Sequence, residues 1–133
     1  MTEYLVPAKQ YSREFTIKGS RFIATVAPAV TIHQARDFIN KIRELHPNAT
    51  HHVPAFIIGH GASVTAHCSD DGEPSGTAGK PSLAVLEGSQ LGDAVLVTTR
   101  YYGGQKLGTG GLVKAYTQAA KEVIREVPKS KKI

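Results

Sequence analysis

Apolar and polar residues alternate in two adjacent segments of this chain, with the period of a β-strand. Residues 14–18 alternate with Phe15 and Ile17 on one face, and residues 21–26 alternate again after a Gly19–Ser20 turn. A period of two predicts strands with one buried face, and the short turn between them predicts a hairpin. Apolar or β-branched runs predict three more strands, at residues 53–58, 64–68 and 94–99.

Three other segments place their apolar residues at the spacing of an amphipathic helix. These segments are residues 31–45, 78–88 and 112–127. Thr31 lies three residues before Gln34, which is the spacing of a capping box. Thr77 is the predicted N-cap of the second helix, and the third helix is expected to end before Pro128.

The predicted order of elements is ββαββαβα, with no internal repeat and no linker visible in the sequence. This order favours an α+β fold, a two-layer sandwich in which a mostly antiparallel sheet carries its helices on one face. We expect residues 1–128 to form a single domain. Residues 129–133, which include Lys129, Lys131 and Lys132, are expected to form a basic C-terminal tail.

Composition narrows the class of protein. The chain has 133 residues, and its 16 basic residues exceed its 11 acidic residues to give a net charge of +5. That excess favours a polyanionic partner such as RNA without requiring one. A single cysteine, Cys68, excludes an internal disulfide and is typical of a reducing compartment. The sequence shows no long apolar run and no signal-peptide core, so we expect a cytoplasmic protein without a membrane partner.

Glycines cluster in two segments that carry charged residues and precede predicted helices. Three glycines lie in residues 70–81 and five in residues 100–111, together eight of the chain's 13. Backbone N–H groups at a helix start, next to Lys or Arg, are suited to binding an anion. Neither segment is a nucleotide P-loop, because Pro81 takes the position of the magnesium-binding hydroxyl residue and the second segment lacks the Lys-Ser or Lys-Thr pair. The alternative is that these glycines only allow positive φ angles and close packing.

We therefore predict an anion- or nucleic-acid-binding site around the second glycine segment. Its predicted residues are Lys80, Arg100, Tyr101, Tyr102, Gly103, Gly104, Lys106, Gly108, Thr109, Gly110, Gly111 and Lys114. A second candidate loop comprises Asp70, Asp71, Gly72, Glu73, Gly76, Thr77 and Gly79. The carboxylates of this loop are also of the type that ligates a divalent cation, but turn formation and helix capping are the favoured roles.

Two further features bear on the chemistry. The adjacent Tyr101 and Tyr102 end a predicted strand and point to opposite faces, so one of them is available to stack on a base. The alternative is one core tyrosine and one tyrosine at the rim.

The six histidines lack the spacing of a zinc site, and the sequence supplies no evident base for Cys68. We expect no metal, no cofactor and no catalytic residue.

Considered together, these motifs closely resemble the IMPACT/YigZ family over nearly the whole chain. The residues that carry the resemblance are Ser69–Pro81, Arg100–Gly104 and Leu107–Tyr116, with further matches at Ser20–Ile23 and His46–His52. The resemblance implies a fold similar to a domain shared by ribosomal proteins, translation factors and some small-molecule kinases. It also implies that bacterial relatives carry a second, ferredoxin-like domain, so we expect this chain to be either a short member or an isolated N-terminal domain.

The resemblance also bears on function, because eukaryotic family members are implicated in translational control through competition for an activator of an initiation-factor kinase. We expect a non-enzymatic, translation-linked regulatory module whose partner is RNA, the ribosome or a translation-regulatory protein, with no specificity for a DNA sequence. The alternative is a small-ligand or phosphate-binding domain, or an enzyme acting on a phosphorylated compound, since the same fold occurs in kinases. The sequence does not indicate an oligomeric state.

Overall fold

A computed structural model describes residues 3–132, and this part of the chain forms seven strands and three helices. The strands are β1 (Tyr4–Pro7), β2 (Tyr11–Ile17), β3 (Ser20–Pro28), β4 (His51–Ile58), β5 (Thr65–Cys68), β6 (Ala94–Tyr101) and β7 (Lys129–Lys132). The helices are α1 (Ile32–Leu45), α2 (Gly79–Gly88) and α3 (Gly108–Glu126). Within residues 3–132, no helix combines the length and the apolar character needed to cross a bilayer.

Five strands form one sheet in the order β2-β3-β6-β4-β5, and every neighbouring pair is antiparallel. β1 and β7 form a separate two-stranded antiparallel ribbon. The predicted α+β class and the predicted antiparallel sheet are therefore confirmed. β6, the most β-rich segment of the sequence, lies at the centre of the sheet.

The helices lie on both faces of the sheet, so the predicted arrangement with every helix on one face is wrong. Leu96 of β6 packs with Leu86 of α2 and Val123 of α3. Its neighbour Val95 packs instead with Ile39 of α1. Because successive side chains of a strand point to opposite faces, α1 covers the face opposite to α2 and α3.

The sequence of the two central strands, β4 and β6, fits a sheet with helices on both faces. All residues are buried from His52 to Ile57 and from Ala94 to Arg100, whereas the edge strand β2 alternates between half-buried and exposed residues. A continuous apolar run is typical of a strand that is covered on both faces. Residues 53–58 and 94–99 have this pattern, which agrees with the helices observed on both faces of the sheet.

Helix starts agree with the sequence pattern in α1 and differ in α3. Thr31 Oγ1 accepts a hydrogen bond from the Gln34 N–H at 3.0 Å, as the capping-box spacing predicts. α3 begins at Gly108 rather than at Leu112. The intervening glycines occupy the first turn, where backbone N–H groups have no intrahelical acceptor, so the predicted loop there is shorter than expected.

The basic C-terminal segment is a strand rather than a free tail. Lys129–Lys132 pairs with β1, a strand that the sequence pattern did not predict, and Ile133 lies outside the described residues. Both strands have only four residues, so neither shows a recognisable alternation. Lys132 forms an ion pair with Asp93 at 2.7 Å, which fastens the ribbon to the start of β6.

Asp93 is a buried carboxylate held by three donors. It accepts hydrogen bonds from Tyr4 Oη at 3.0 Å, from the Gly59 N–H at 2.8 Å and from Lys132 Nζ at 2.7 Å. Burial alone would raise the pKa of Asp93, but these three hydrogen bonds hold it below its usual value. The ionised carboxylate therefore stabilises the folded state.

We expect Asp93→Asn to lower the free energy of unfolding by about 2 kcal/mol near neutral pH, because it removes a charge that three donors hold. Asparagine tolerates the φ of 48° at this position, so the change adds no backbone strain, but it removes one acceptor oxygen together with the charge. Since the folded-state pKa lies below the usual 3.8, the contribution of Asp93 is complete above pH 3.8 and is lost as the pH falls towards the folded-state pKa. Urea unfolding of both proteins from neutral pH to about pH 2 measures this difference. A difference that does not shrink in acid would contradict the role of the charge.

Candidate nucleic-acid interface at the start of helix α3

A cleft opens where the end of β6 and the start of α3 meet the first residues of β4, and we call it the α3 cleft. Its volume is about 520 Å³. Both glycine-rich segments contribute to its lining, so the structure brings them together. The lining residues are Thr50, His51, Glu73, Pro74, Arg100, Tyr102, Lys106, Leu107, Gly108, Thr109 and Leu112.

The floor of the α3 cleft contains a buried ion pair between Arg100 and Glu73. Arg100 Nη1 donates to both carboxylate oxygens of Glu73, at 3.0 and 2.8 Å. The two residues are only 4% and 7% exposed. Removing such charges from water costs several kcal/mol per ion, which only close pairing and additional hydrogen bonds offset. Ser20 Oγ supplies such bonds, because it accepts from Nε and Nη2 of Arg100, both at 3.3 Å.

Glu73 also connects this floor to α3 and β4. Tyr116 of α3 donates its hydroxyl to the Glu73 carboxylate. Burial raises the pKa of Tyr116, and the hydrogen bond to Glu73 raises it further, so the phenol remains a donor. His51 of β4 places Nε2 3.3 Å from the same carboxylate and Nδ1 2.8 Å from the Asp71 carbonyl oxygen. Glu73 belongs to the second candidate loop, residues 70–79, which we call the acidic loop. One carboxylate thus joins the acidic loop to three elements of the fold.

The residue at position 103, two positions after the end of β6, must be glycine because no side chain fits there. A Cβ atom on Gly103 would lie 2.1 Å from the Gly19 carbonyl oxygen in the turn between β2 and β3. The Gly103 N–H also donates to Ser20 Oγ at 3.1 Å. The close approach of two backbones requires glycine here, and it brings the Ser20 hydroxyl within reach of Arg100.

The rim of the α3 cleft carries exposed groups suited to an anion. Lys106 is exposed, and Tyr102 is 47% exposed. The Tyr102 N–H donates to Thr50 Oγ1 at 3.0 Å, which fixes the backbone of this residue. α3 has no side-chain N-cap and no acidic residue in its first turn, where Gly108 and Thr109 line the cleft. Its first N–H groups and the positive end of its dipole therefore favour a negatively charged ligand.

Arg100 and Tyr101 were predicted to contact the ligand, but neither side chain is placed to do so. The Arg100 charge is taken up by Glu73, so Arg100 does not offer an exposed contact to a phosphate while that pair is intact. Tyr101 points to the opposite face of the sheet, where its hydroxyl lies 2.7 Å from His46 Nδ1. Of the two adjacent tyrosines, only Tyr102 lines the cleft.

The remaining predicted residues of the second glycine segment are spread around the start of α3. Gly104 lies in the exposed loop before the helix with a φ of 89°, while Gly110 and Gly111 lie in the first turns of α3. Lys114 is exposed on α3, outside the cleft lining. Lys80 lines a separate groove between α2 and α3. The structure therefore does not unite the predicted lysines in one cleft.

The acidic loop caps α2, but through Asp70 rather than through the predicted Thr77, whose hydroxyl donates to the Pro74 carbonyl oxygen. Asp70 Oδ1 accepts from the N–H groups of Ala78 and Gly79, at 3.1 and 2.8 Å. Burial alone would raise the pKa of Asp70, but backbone hydrogen bonds, with a contribution from Lys80, hold it below its usual value. The Gly76 N–H supplies the third of these bonds, to Oδ2 at 2.9 Å.

Asp71 and Gly72 turn the acidic loop back onto β4. Their φ angles are 45° and 89°, and Asp71 Oδ2 accepts from the His52 N–H at 2.7 Å. In the part of the chain that the structure describes, no group of three or more His, Cys, Asp or Glu side chains is placed to hold a metal ion. Burial raises the pKa of the nearby Cys68 thiol, which disfavours the reactive thiolate.

Four polar residues of the site were not predicted to belong to it, namely Ser20, Thr50, His51 and Tyr116. Thr50 directly precedes β4 and His51 begins it, Ser20 begins β3, and Tyr116 fitted the apolar stripe of α3. The available signal was the pair of opposite charges, Glu73 and Arg100, one in each glycine-rich segment. That signal indicates contact between the segments but not which other elements close around them.

We expect Glu73→Gln to destabilise the fold by about 3–5 kcal/mol, because it leaves the Arg100 guanidinium buried without a countercharge. Adding Arg100→Met to Glu73→Gln should recover part of that loss, since no unpaired charge then remains. Urea unfolding near neutral pH measures both variants. Glu44→Gln on the exposed side of α1 is the matched control and should change stability by less than about 0.5 kcal/mol. Equal stabilities of Glu73→Gln and Glu44→Gln would contradict the role of the ion pair.

Comparisons with known protein sequences show the family of the chain. The Impact N-terminal domain matches residues 18–124. The chain is 46% identical to an IMPACT family member of Haemophilus influenzae, over all of this chain and 65% of that protein. It is 44% identical to IMPACT family member YigZ of Escherichia coli, over 99% of this chain and 65% of that protein. Protein IMPACT-A of Xenopus tropicalis is 29% identical over 96% of this chain and 45% of its own length.

Two solved structures resemble the chain. One, described as the crystal structure of a hypothetical protein, has a TM-score of 0.96 and 44% identity, over 99% of this chain and 65% of that chain. The other, the two-domain translational regulator Yih1, has a TM-score of 0.52 and 22% identity, over 91% of this chain and 46% of that chain, and it shows a likeness of fold alone. Similarity to a ribosomal-protein domain stays a prediction. The domain match and the bacterial relatives confirm the predicted resemblance, and the chain belongs to the IMPACT family through its Impact N-terminal domain.

Proposed function

We propose that this chain is a non-enzymatic, translation-linked binding module that holds single-stranded RNA at the α3 cleft. The observation that carries this proposal is the uncapped start of α3 beside exposed Lys106 and Tyr102. A phosphate group at the helix start would meet backbone donors, the helix dipole and the Lys106 ammonium. A neighbouring base would stack on the exposed Tyr102 ring.

The electrostatics of the cleft floor favour this arrangement. Glu73 would repel a phosphate if its charge were free, but Arg100 and Tyr116 both donate to it. The local field at the rim is therefore set by Lys106 and by the start of α3, and the net charge of +5 favours the approach of a polyanion.

The translation link is supported by relatives. The likeness of fold extends to a protein described as a translational regulator, Yih1, and the family includes the vertebrate Protein IMPACT-A. This chain spans less than two thirds of the length of the relatives given above. We therefore propose the broad role, in the cytoplasm, with RNA, the ribosome or a translation-regulatory protein as the class of partner.

A second candidate function is the binding of a small phosphorylated compound in the same cleft. The cleft volume of about 520 Å³ favours this alternative, because small-ligand sites occupy roughly 300–1,000 Å³. The two candidates differ in salt dependence. RNA binding releases counterions and weakens steeply with salt, whereas a pocket ligand depends less on it.

We expect Lys106→Ala to lower the slope of log affinity against log salt by about 0.7, the amount for one phosphate contact on a single strand. Fluorescence anisotropy with a labelled uridine oligonucleotide, between about 50 and 200 mM salt, measures this slope. Lys114→Ala removes the same charge from α3 outside the cleft, and Lys41→Ala removes it from α1. Equal effects of all three substitutions would show diffuse charge attraction, and absence of RNA binding by the parent would remove the RNA proposal.

We expect Tyr102→Ala to weaken RNA binding by about 1–3 kcal/mol, because it removes the stacking surface for one base. Tyr102→Phe keeps the ring and should retain the parent affinity. The same oligonucleotide titration at one salt concentration measures both variants. Equal losses in the two variants would assign the effect to the hydroxyl group rather than to stacking, and unchanged affinity in both would place the base elsewhere.

A further inference from the structure

A groove between α2 and α3 forms a second concave surface, separate from the α3 cleft. Its volume is about 760 Å³, and it shares no lining residue with the cleft. The apolar part of its lining consists of Pro81, Ala84, Val85, Val113 and Ile124. Val113 is 38% exposed, so part of this apolar surface meets solvent.

The groove has the direction and the length of a helix. α2 and α3 run side by side in the same sense, because Ala78 at the start of α2 packs with Ala115, while Leu86 near its end packs with Val123. The lining follows α3 from Val113 to Arg125. At 1.5 Å per residue this distance is roughly 18 Å, which a third helix of about 12 residues would span.

The charged residues that line the groove are all basic. Lys80 lines one end, Lys121 and Arg125 line the other, and none of the described residues in the lining is acidic. Arg125 forms ion pairs with Glu122 and Glu126. Among residues 3–132, Lys80 and Lys121 form no ion pair. Their positive charge is therefore available to a partner.

We propose that this groove docks an acidic amphipathic helix of a partner protein. Apolar side chains spaced at i, i+3, i+4 and i+7 contact the Val85 and Val113 surface, as in other helix-in-groove complexes. Glu or Asp side chains beside that stripe pair with Lys80 and Lys121, which sets the orientation and accelerates association. The proposal goes beyond RNA binding at the α3 cleft and does not depend on it.

Two other occupants fit the groove less well. Single-stranded RNA needs aromatic platforms for its bases, and none of the described residues that line this groove is aromatic. A second copy of the chain would bring two basic grooves and two net charges of +5 together, which is repulsive. Charge complementarity therefore favours an acidic protein segment.

The test uses a fluorescein-labelled synthetic helix of about 14 residues, with leucines at i, i+3, i+4 and i+7 and glutamates beside them. A scrambled peptide of the same composition is the control. We expect NMR of the ¹⁵N-labelled protein to show the largest amide shifts within residues 80–89 and 113–125, and the scrambled peptide to bind about tenfold more weakly. Ala84→Glu places an acid in the exposed groove surface and should weaken binding about tenfold.

Matched variants separate this surface from the α3 cleft. The double variant Lys80→Ala with Lys121→Ala should weaken peptide binding, while Lys41→Ala and Lys106→Ala should leave it unchanged. Circular dichroism confirms that each variant is folded. The proposal is overturned by amide shifts centred on residues 100–112, by equal binding of the scrambled peptide, by parent-like binding of Ala84→Glu, or by no saturation up to about 1 mM peptide. RNA binding measured on Ala84→Glu reports separately on the α3 cleft, where we expect no change.

Discussion

The buried ion pair between Glu73 and Arg100 is the interaction on which the α3 cleft depends. Glu73 belongs to the acidic loop and Arg100 to the end of β6, so their pairing holds the two glycine-rich segments together. Tyr116 and Ser20 complete the cluster through α3 and the β2–β3 turn. Since two buried charges are unfavourable unless each is paired and hydrogen-bonded, every element that contributes a partner has its position fixed by the cluster.

This arrangement divides the basic residues of the site into two groups. Arg100 is a structural cation, because its charge is neutralised inside the protein. Lys106 and the first turn of α3 remain at the rim, where a ligand can reach them. Lys80 lies on another surface, whose lining combines apolar and basic side chains and has no aromatic side chain among the described residues. One chain of modest size therefore presents two concave surfaces of different chemistry, for which we propose nucleic acid and a helix as the ligands.

Much of the fold follows from the sequence pattern, because buried residues recur within each helix or strand at the period of that element. The β2–β3 hairpin and the cap of α1 by Thr31 follow from local spacing alone. The apolar runs of β4 and β6 are typical of strands covered on both faces, but they do not show which helix lies on which face, and the predicted single helical face was wrong. The β1–β7 ribbon could not be predicted, since it depends on backbone pairing between chain segments far apart and on Asp93. The site was predictable only in part, because burial of Arg100 depends on Glu73, His51 and Tyr116 meeting in three dimensions.

NMR titration of the ¹⁵N-labelled protein with a short single-stranded RNA tests most directly whether the start of α3 binds a phosphate beside Lys106. We expect the largest amide shifts at Tyr102 and within Gly108–Gly111, where the uncapped N–H groups lie. The basic strand β7 is the competing surface, although Lys129 and Lys132 are already engaged with backbone carbonyls and with Asp93. Largest shifts along Lys129–Lys132, with none at Gly108–Gly111, would contradict binding at the α3 cleft.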